Sequence, residues 1–299
     1  MNNKTTKILI VQKSQDYELI DSGNGEKLER FGKFVLSRPD PQALWEKGLG
    51  KEAWSKADAV YAKDDEKAGW KYRGKIDDKW SIDFAGIKFF IKPTPFKHVG
   101  IFPEQASNWQ WLEQIIKNIK GEQPEVLNLF GYTGGASLIS AKSGAKVVHI
   151  DSSKSAIAWG RDNAEASGLA DKPIRWILED ARTFVEREIK RERKYDGIIM
   201  DPPAFGHGPD NEVWKIEQDF IELVNNCFKI LKDKPSFFLI NGYSAGYSAL
   251  AYENLLKPLL DKFGGEIEIG ELAIKENKDE KTARLLPCGI FSRWKGINS

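Results

Sequence analysis

Cysteine is almost absent from this chain: Cys227 and Cys288 are the only two in 299 residues, and they lie far apart. That excludes a disulfide framework and a paired-cysteine zinc site, and it suits a reducing compartment. Histidine is nearly as scarce, and His98, His149 and His207 are too scattered to predict a metal site. No apolar run approaches the roughly 20 residues that cross a bilayer. The polar start MNNKTTK lacks the apolar centre and cleavage site of a secretory signal, so a cytoplasmic location and no membrane partner are expected. Net charge is only +1, so bulk electrostatics do not announce a nucleic-acid binder, although a local basic surface remains compatible. Internal repeats and low-complexity segments are also missing.

What is present is an ordinary globular composition, 41% hydrophobic and 30% charged, which predicts a folded, soluble protein. The length allows one large α/β domain beside a smaller one, or two mid-sized domains. Up to about residue 95 the strand-like pieces YELI, KFVL, WSIDF and IKFFI are broken by Gly, Pro and Asp, with a short helix expected at PQALWEKGL. This predicts a small β-rich N-terminal domain over 1–95 and a second domain over 96–299. The prolines of KPTPFKHVGIFPEQ mark a linker into a helix starting near Glu104, whose face repeats at Ala106, Trp109, Leu112, Ile116 and Ile119.

From residue 125 strands and helices alternate. EVLNLF, AKVVHID, IRWIL, YDGIIMD and SFFLIN read as strands. GGASLISAKSG, SKSAIAWGRDNAEASG, ARTFVEREIKRER, NEVWKIEQDFIELVNNCFKIL and SALAYENLLKPLLDKF read as the helices between and after them. Such alternation predicts a mostly parallel sheet covered on both faces. At the end EIEIGELAIKE and ARLLPCGIFSRW are separated by too few residues for a crossover helix, so they should pair antiparallel.

Ligands of an open parallel sheet sit at the carboxyl ends of its strands. After the first strand, FGYTGG offers Gly131, Gly134 and Gly135 for close backbone approach, followed by a helix N-terminus; a tight turn without ligand is the plain alternative. After the second, Asp151 can accept both hydroxyl hydrogens of a ribose, or could cap the next helix, a task Ser152 or Ser153 could also fill. After the third, LEDAR places Asp180 either facing an adenine amino group or capping a helix. The glycine pattern is G-x-x-G-G rather than the dinucleotide G-x-G-x-x-G, and no Gly-Lys-Ser/Thr phosphate loop follows. These absences, with the closing strand pair, favour S-adenosylmethionine as cofactor. After the fourth strand, Asp201 precedes two prolines that supply no N–H, so neighbouring carbonyls should stay free to accept hydrogen bonds. Phe205 can stack on a planar group, or else covers the core.

Together VLNLFGYTGGASL, VVHIDSSKSAIAWGRDNAEASGL, LEDAR and IIMDPPAFG resemble the class I S-adenosylmethionine-dependent methyltransferases, and within them the large-subunit ribosomal RNA methyltransferase I-like group. The similarity runs from about TPFKHVGIFPEQ to GIFSRW, and ERFGKFVLSRPDPQALW is similar to the amino-terminal segment of a subgroup. The resemblance implies a Rossmann-like fold with a mostly parallel seven-stranded sheet, S-adenosylmethionine as cofactor and RNA, of the ribosomal kind, as substrate. It implies that Asn128, Gly131, Thr133 and Gly134 line the methionine end of the cofactor, with Gln105 approaching its carboxylate. Asp151 would hold the ribose, Asp180 and Ala181 would contact adenine, and Asp201, Pro202 and Phe205 would border the methyl group and the acceptor.

One departure bears on chemistry. Group members that methylate cytosine C5 use a thiolate, usually from the loop after the fifth strand, and here that loop reads LINGYSAGYS. Cys227 falls on an apolar stripe with Val213, Ile216, Phe220, Val224 and Leu231, and Cys288 lies in or beside a closing strand. A nitrogen acceptor is therefore at least as well supported as C5. His149 should be a packed core residue, and His207 could touch substrate. Aromatics and cations interleave in WKYRGKIDDKW (70–80), which would suit RNA or simply a solvated strand, and EREIKRERK should be an exposed helix. A small-molecule or protein methyltransferase and a non-catalytic RNA-binding relative remain alternative readings. A homo-oligomer is compatible with all of them.

Overall fold

The computed structural model describes residues 6–63, 68–243 and 246–297. The chain divides into two compact units: one comprises the residues up to Ile8, Asn108–Glu271 and those from Gly289 on, the other Leu9–Ser107 and Leu272–Cys288.

In the larger unit the alternating pattern folds as its periodicity requires. The strand order of the sheet is Lys7–Val11, Glu266–Lys275, Leu285–Lys295, Phe237–Gly242, Gly197–Met200, Glu125–Leu129, Lys146–Asp151 and Ile174–Leu178. The five strands from Glu125 to Gly242 pair parallel, and Leu285–Lys295 runs antiparallel to Phe237–Gly242. Seven strands come from the regions the sequence assigns to the sheet. An eighth, Lys7–Val11, adds at the edge, where Lys7 pairs with Glu268. Helices Gly135–Lys142, Lys154–Ala166, Ala181–Lys190, Ile216–Lys229 and Ala249–Phe263 connect or follow these strands. A core of Leu127, Leu129, Ile198, Met200, Phe238 and Ile240 fills the space beneath them.

The first strand, Glu125–Leu129, lies between the second, Lys146–Asp151, and the fourth, Gly197–Met200. Its following chain goes to one side and the fourth strand's to the other, so a crevice must open at this reversal. Register makes it level. Leu129 pairs with both Ile150 and Met200, which brings Phe130, Asp151 and Asp201 out of the sheet at one height.

The smaller unit is built on a five-stranded sheet in the order Tyr17–Gly23, Glu26–Phe31, Phe34–Pro39, Ala59–Lys63 and Ala68–Tyr72, with a separate hairpin, Trp80–Phe84 and Ile87–Ile91. Leu272–Cys288 counts with it, and Glu276 accepts from both the N–H and hydroxyl of Ser22.

Two sequence expectations fail. PQALWEKGL forms no helix; the short helix is Lys51–Trp54 instead. Backbone groups of that stretch are spent on the preceding turn, with Asn24 N–H donating to Trp45 O (2.6 Å) and Gly25 N–H to Ala43 O (2.8 Å). Nor does the NEVWKIEQ helix begin where its apolar stripe does. Val213 is exposed on the strand Val213–Lys215, paired antiparallel with Phe205–His207, and the helix starts only at Ile216. The 3₁₀ turn Pro103–Gln105 precedes the helix Ala106–Asn118, which buries Trp109, Leu112, Ile115 and Ile116.

Candidate functional site

The loop after the first strand is bent harder than its glycines alone suggest. Phe130 (φ 58°) and Tyr132 (φ 50°), neither a glycine, adopt the left-handed region, and Gly134 follows at φ 90°. Non-glycine residues there store strain that the surroundings must hold. The holding groups are visible: Gly131 N–H donates to Ile150 O (2.9 Å), and Tyr132 N–H to Asp151 Oδ2 (2.7 Å). Asn163 Nδ2 donates to Thr133 O (3.0 Å).

Two of these glycines answer to the protein itself. A Cβ at Gly131 would collide with the His149 ring, and one at Gly135 with Trp109. His149 is a fully buried core residue, as its strand position predicts. Its Nδ1 meets Ser137 Oγ at 2.9 Å, its ring packs on Trp176 (4.5 Å), and burial holds its pKa down at about 3, so it stays neutral. Gly131→Ala should destabilise the protein by about 2–4 kcal/mol, because neither the ring nor the strand beneath can yield. Chemical denaturation checks this, and adding His149→Ala to the same chain should recover part of the loss.

Asp151 is not the helix cap. Ser153 is, with its side chain accepting from Ala156 N–H (3.2 Å), while Asp151 Oδ1 accepts from Ser153 N–H (2.8 Å). Two backbone donors thus pin the carboxylate, and burial raises its pKa. Asp180 does cap its helix, accepting from Arg182 and Thr183 N–H, and it also pairs with the Arg182 guanidinium (3.1 Å). Asp151, Asp180 and Ala181 line one pocket, whose apolar walls are Phe130, Ile150 and Trp214. Sequence reasoning missed Phe130 and Trp214, and Trp214 was hidden inside the apparent helix pattern.

Past Asp201 the chain forms the hairpin Phe205–His207 and Val213–Lys215, which supplies Gly206 and His207 to the same pocket. The carbonyls expected to stay free are partly used: Pro203 O accepts from Trp214 Nε1 (2.6 Å) and Ala204 O from Ile216 N–H (3.0 Å). These bonds, the Phe130–Trp214 contact (5.0 Å) and the Lys215 N–H that donates to Asp219 Oδ2 (2.7 Å) fasten the hairpin. Phe205 does not cover the core. It is 55% exposed, edge-on to His207 at 5.1 Å.

The other sequence candidates fall in two groups. Asn128 and Thr133 are buried under the loop, and Asn128 Nδ2 donates to Ser137 Oγ (2.9 Å). Gln105 ends the 3₁₀ turn, which belongs to the smaller unit. Pro202 is buried beside Asp201. Both cysteines are buried, and burial pushes both thiols up in pKa; Cys288 donates to Leu286 O (3.3 Å). Among the described residues no group of three His, Cys, Asp or Glu could hold a metal ion, and no helix is long and apolar enough to cross a membrane.

Burial pushes the Asp201 carboxyl up to about 6. A carboxyl whose folded pKa lies above its unfolded value near 3.9 binds its proton more tightly when folded, so its ionisation costs stability. The cost is absent below about pH 4 and complete above about pH 6. Asp201→Asn, uncharged throughout, should therefore be more stable than the parent by about 3 kcal/mol at neutral pH. In melting curves across pH, the gap should open between pH 4 and 6.

The pocket could hold an adenosyl group, since it has a pinned carboxylate that suits a ribose diol and apolar walls that suit a purine, beside a hairpin with an exposed aromatic. Residues 45–242 match the family model of S-adenosylmethionine-dependent methyltransferases. A S-adenosylmethionine-dependent methyltransferase from Agrobacterium tumefaciens is 39% identical and superposes with a TM-score of 0.91, covering 97% of this chain and 93% of that one. A proposed S-adenosylmethionine-dependent methyltransferase from Streptococcus mutans, 18% identical over 94% of this chain and 76% of its own, shares the fold with a TM-score of 0.65. The ribosomal RNA large subunit methyltransferase K/L of Pseudoalteromonas atlantica is 31% identical over 149 residues, which is 49% of this chain but only 20% of that protein. The match thus spans about a fifth of the curated relative. With two thirds of its length inside the family model and a near-complete structural counterpart, this chain belongs to the S-adenosylmethionine-dependent methyltransferase family.

Proposed function

We propose that this methyltransferase acts on a base of ribosomal RNA, with Phe205 as the stacking platform for the acceptor and a ring or exocyclic nitrogen as the acceptor atom. The observation that carries the reading is the hairpin after Asp201, which lends Gly206 and His207 to the cofactor pocket while it turns Phe205 outward. One short strand then serves both the donor and a flat acceptor. The named substrate of the Pseudoalteromonas atlantica relative is of the same class.

In this reading Asp151 holds the ribose, Phe130, Ala181 and Trp214 enclose adenine, and the loop Gly131–Gly134 borders the methionine end. Bound S-adenosylmethionine supplies an electrophilic sulfonium methyl group. The protein aligns a nucleophile with it and excludes water, which can account for most of the acceleration. Asp201 accepts a hydrogen from the acceptor amine, and its raised pKa lets it take that proton near neutrality. C5 methylation through a thiolate finds no support in the two buried cysteines, whose ionisation burial opposes. The N-terminal segment 1–95 supplies substrate binding.

Total RNA from a strain lacking the gene, incubated with enzyme and tritiated S-adenosylmethionine, should take up label in large-subunit RNA. Mass spectrometry of nucleosides should then reveal an N-methylated base, and label in protein or small molecules alone would overturn the reading. Cys227→Ser and Cys288→Ser should keep transfer within about twofold of the parent rate, since neither thiol forms a bond to the base. A 100-fold loss with trapped covalent RNA would instead establish C5 chemistry.

A further inference from the structure

Within the smaller unit, the strand Ala68–Tyr72 is an edge of the five-stranded sheet. Of the aromatics in WKYRGKIDDKW, two are anchors. Trp80 is buried with its Nε1 on Phe31 O (2.9 Å), and Trp70 Nε1 donates to Thr94 O (2.7 Å) and Phe96 O (3.3 Å). Tyr61, on the neighbouring strand, reaches Pro95 O (3.2 Å) and meets Trp70 edge-on at 5.5 Å. Thr94 Oγ1 also bonds Phe96 O (3.0 Å) and His98 O (2.9 Å). The loop 94–98 is thereby fastened onto the sheet, yet Phe96 is left 70% exposed. Tyr72, two residues from Trp70 and so on the same strand face, is 51% exposed. A protein that holds a loop with these five hydrogen bonds and leaves its phenyl ring in water is presenting that ring.

Cations outnumber acids around these rings: Asp77 is paired with Lys33 (2.8 Å), and the charge of Asp78 acts on Tyr72. Lys71, Arg73 and Lys75 are exposed along and just past the edge strand, where long side chains reach around from either face. At the base of the loop burial pushes the Lys97 ammonium down in pKa, with Asp40 opposing and Lys27 and Arg38 adding to the shift. His98 is held down at about 4 by burial and then by Arg38, Lys97 and Lys27. Glu29 and Asp40 answer Arg38 and Lys27 in the interior. The rim is left positive beside two exposed rings, the combination that binds single-stranded nucleic acid: charge tracks the backbone and aromatic faces take the bases.

We propose that the edge strand Ala68–Tyr72 and the loop 94–98 form a docking surface for single-stranded RNA, with Phe96 and Tyr72 stacking on bases and Lys71, Arg73, Lys75 and Lys97 meeting phosphates. The choice of RNA rests on the acceptor reading above, and the position of the surface rests on this unit alone.

The test is fluorescence anisotropy of the full-length protein with a labelled, unstructured RNA of roughly 12 nucleotides, titrated from about 50 to 300 mM salt. Phe96→Ala with Tyr72→Ala should weaken binding about 10-fold or more at every salt concentration and leave the log–log salt slope unchanged. Lys71→Gln, Arg73→Gln and Lys75→Gln together should reduce that slope by about 2. Calorimetric S-adenosylmethionine affinity should stay at the parent value in both, showing that the fold is intact. Parent affinity in the aromatic double variant, or a parent protein that prefers duplex or ignores RNA, overturns the surface. If the parent methylates RNA while the variants bind it normally, the docking surface fails and the acceptor reading stands. If RNA binding weakens as expected but no RNA ever takes up methyl, the surface stands and the acceptor reading fails.

Discussion

Asp151→Ala is expected to weaken S-adenosylmethionine binding about 100-fold while the protein stays folded. The side chain is held by two backbone N–H groups, Tyr132 on one oxygen and Ser153 on the other, so its direction is fixed before any ligand arrives. A carboxylate has roughly four acceptor sites, and two remain for the ribose hydroxyls. Charge-assisted hydrogen bonds contribute about 1.5–3 kcal/mol each, and losing two predicts a drop of about 3 kcal/mol or more, or two powers of ten. Asp151→Asn should fall between, since an amide keeps one acceptor oxygen but offers the second ribose hydroxyl a donor.

A pH signature separates this account from mere structural damage. Burial raises the Asp151 pKa above that of an ordinary carboxylate. Acidification should therefore protonate it, and weaken binding in the parent protein, at a higher pH than an exposed aspartate would. Asp151→Asn should show no such limb. Isothermal titration at a series of pH values checks both points, and an alanine variant that binds like the parent removes Asp151 from the site.

The same residues show what a sequence makes legible. Alternating hydrophobic segments led to the parallel sheet because burial on both faces forces near-continuous apolar strands, and Ile198, Ile199 and Met200 are indeed all buried. Asp151's place in the pocket lining was legible because side chains at strand ends in such a sheet border the crevice. Glycines were less so. Gly131 and Gly135 look like room for a cofactor, yet their missing side chains make room for His149 and Trp109, partners distant in sequence. Trp214 and Val213 were misplaced for a related reason. An apolar spacing of three to four residues fits a helix, and nothing local tells that Trp214 bonds back to Pro203 and holds a hairpin instead. The strand Lys7–Val11 was out of reach because its pairing partner lies more than 250 residues away, next to Glu268.

Phe205→Ala should lower the rate of methyl transfer about 100-fold with S-adenosylmethionine affinity changed by no more than about twofold. The separation follows from where the ring is. Phe205 belongs to the hairpin strand by its backbone, paired with Lys215, whereas the pocket wall is made by Gly206, His207 and Trp214. Its ring is exposed and touches His207 only by an edge, so truncation removes little buried area and should leave the melting temperature within about 1 °C. What is lost is the acceptor's stacking surface, about 1–3 kcal/mol for a base, together with the alignment that stacking imposes on the nucleophilic atom. Phe205→Trp should retain most of the rate because an indole offers a larger face, whereas Phe205→Leu, apolar but not flat, should resemble alanine. If alanine, leucine and tryptophan all turn over ribosomal RNA at the parent rate, the acceptor is held elsewhere. The hairpin is then a wall of the donor pocket and nothing more.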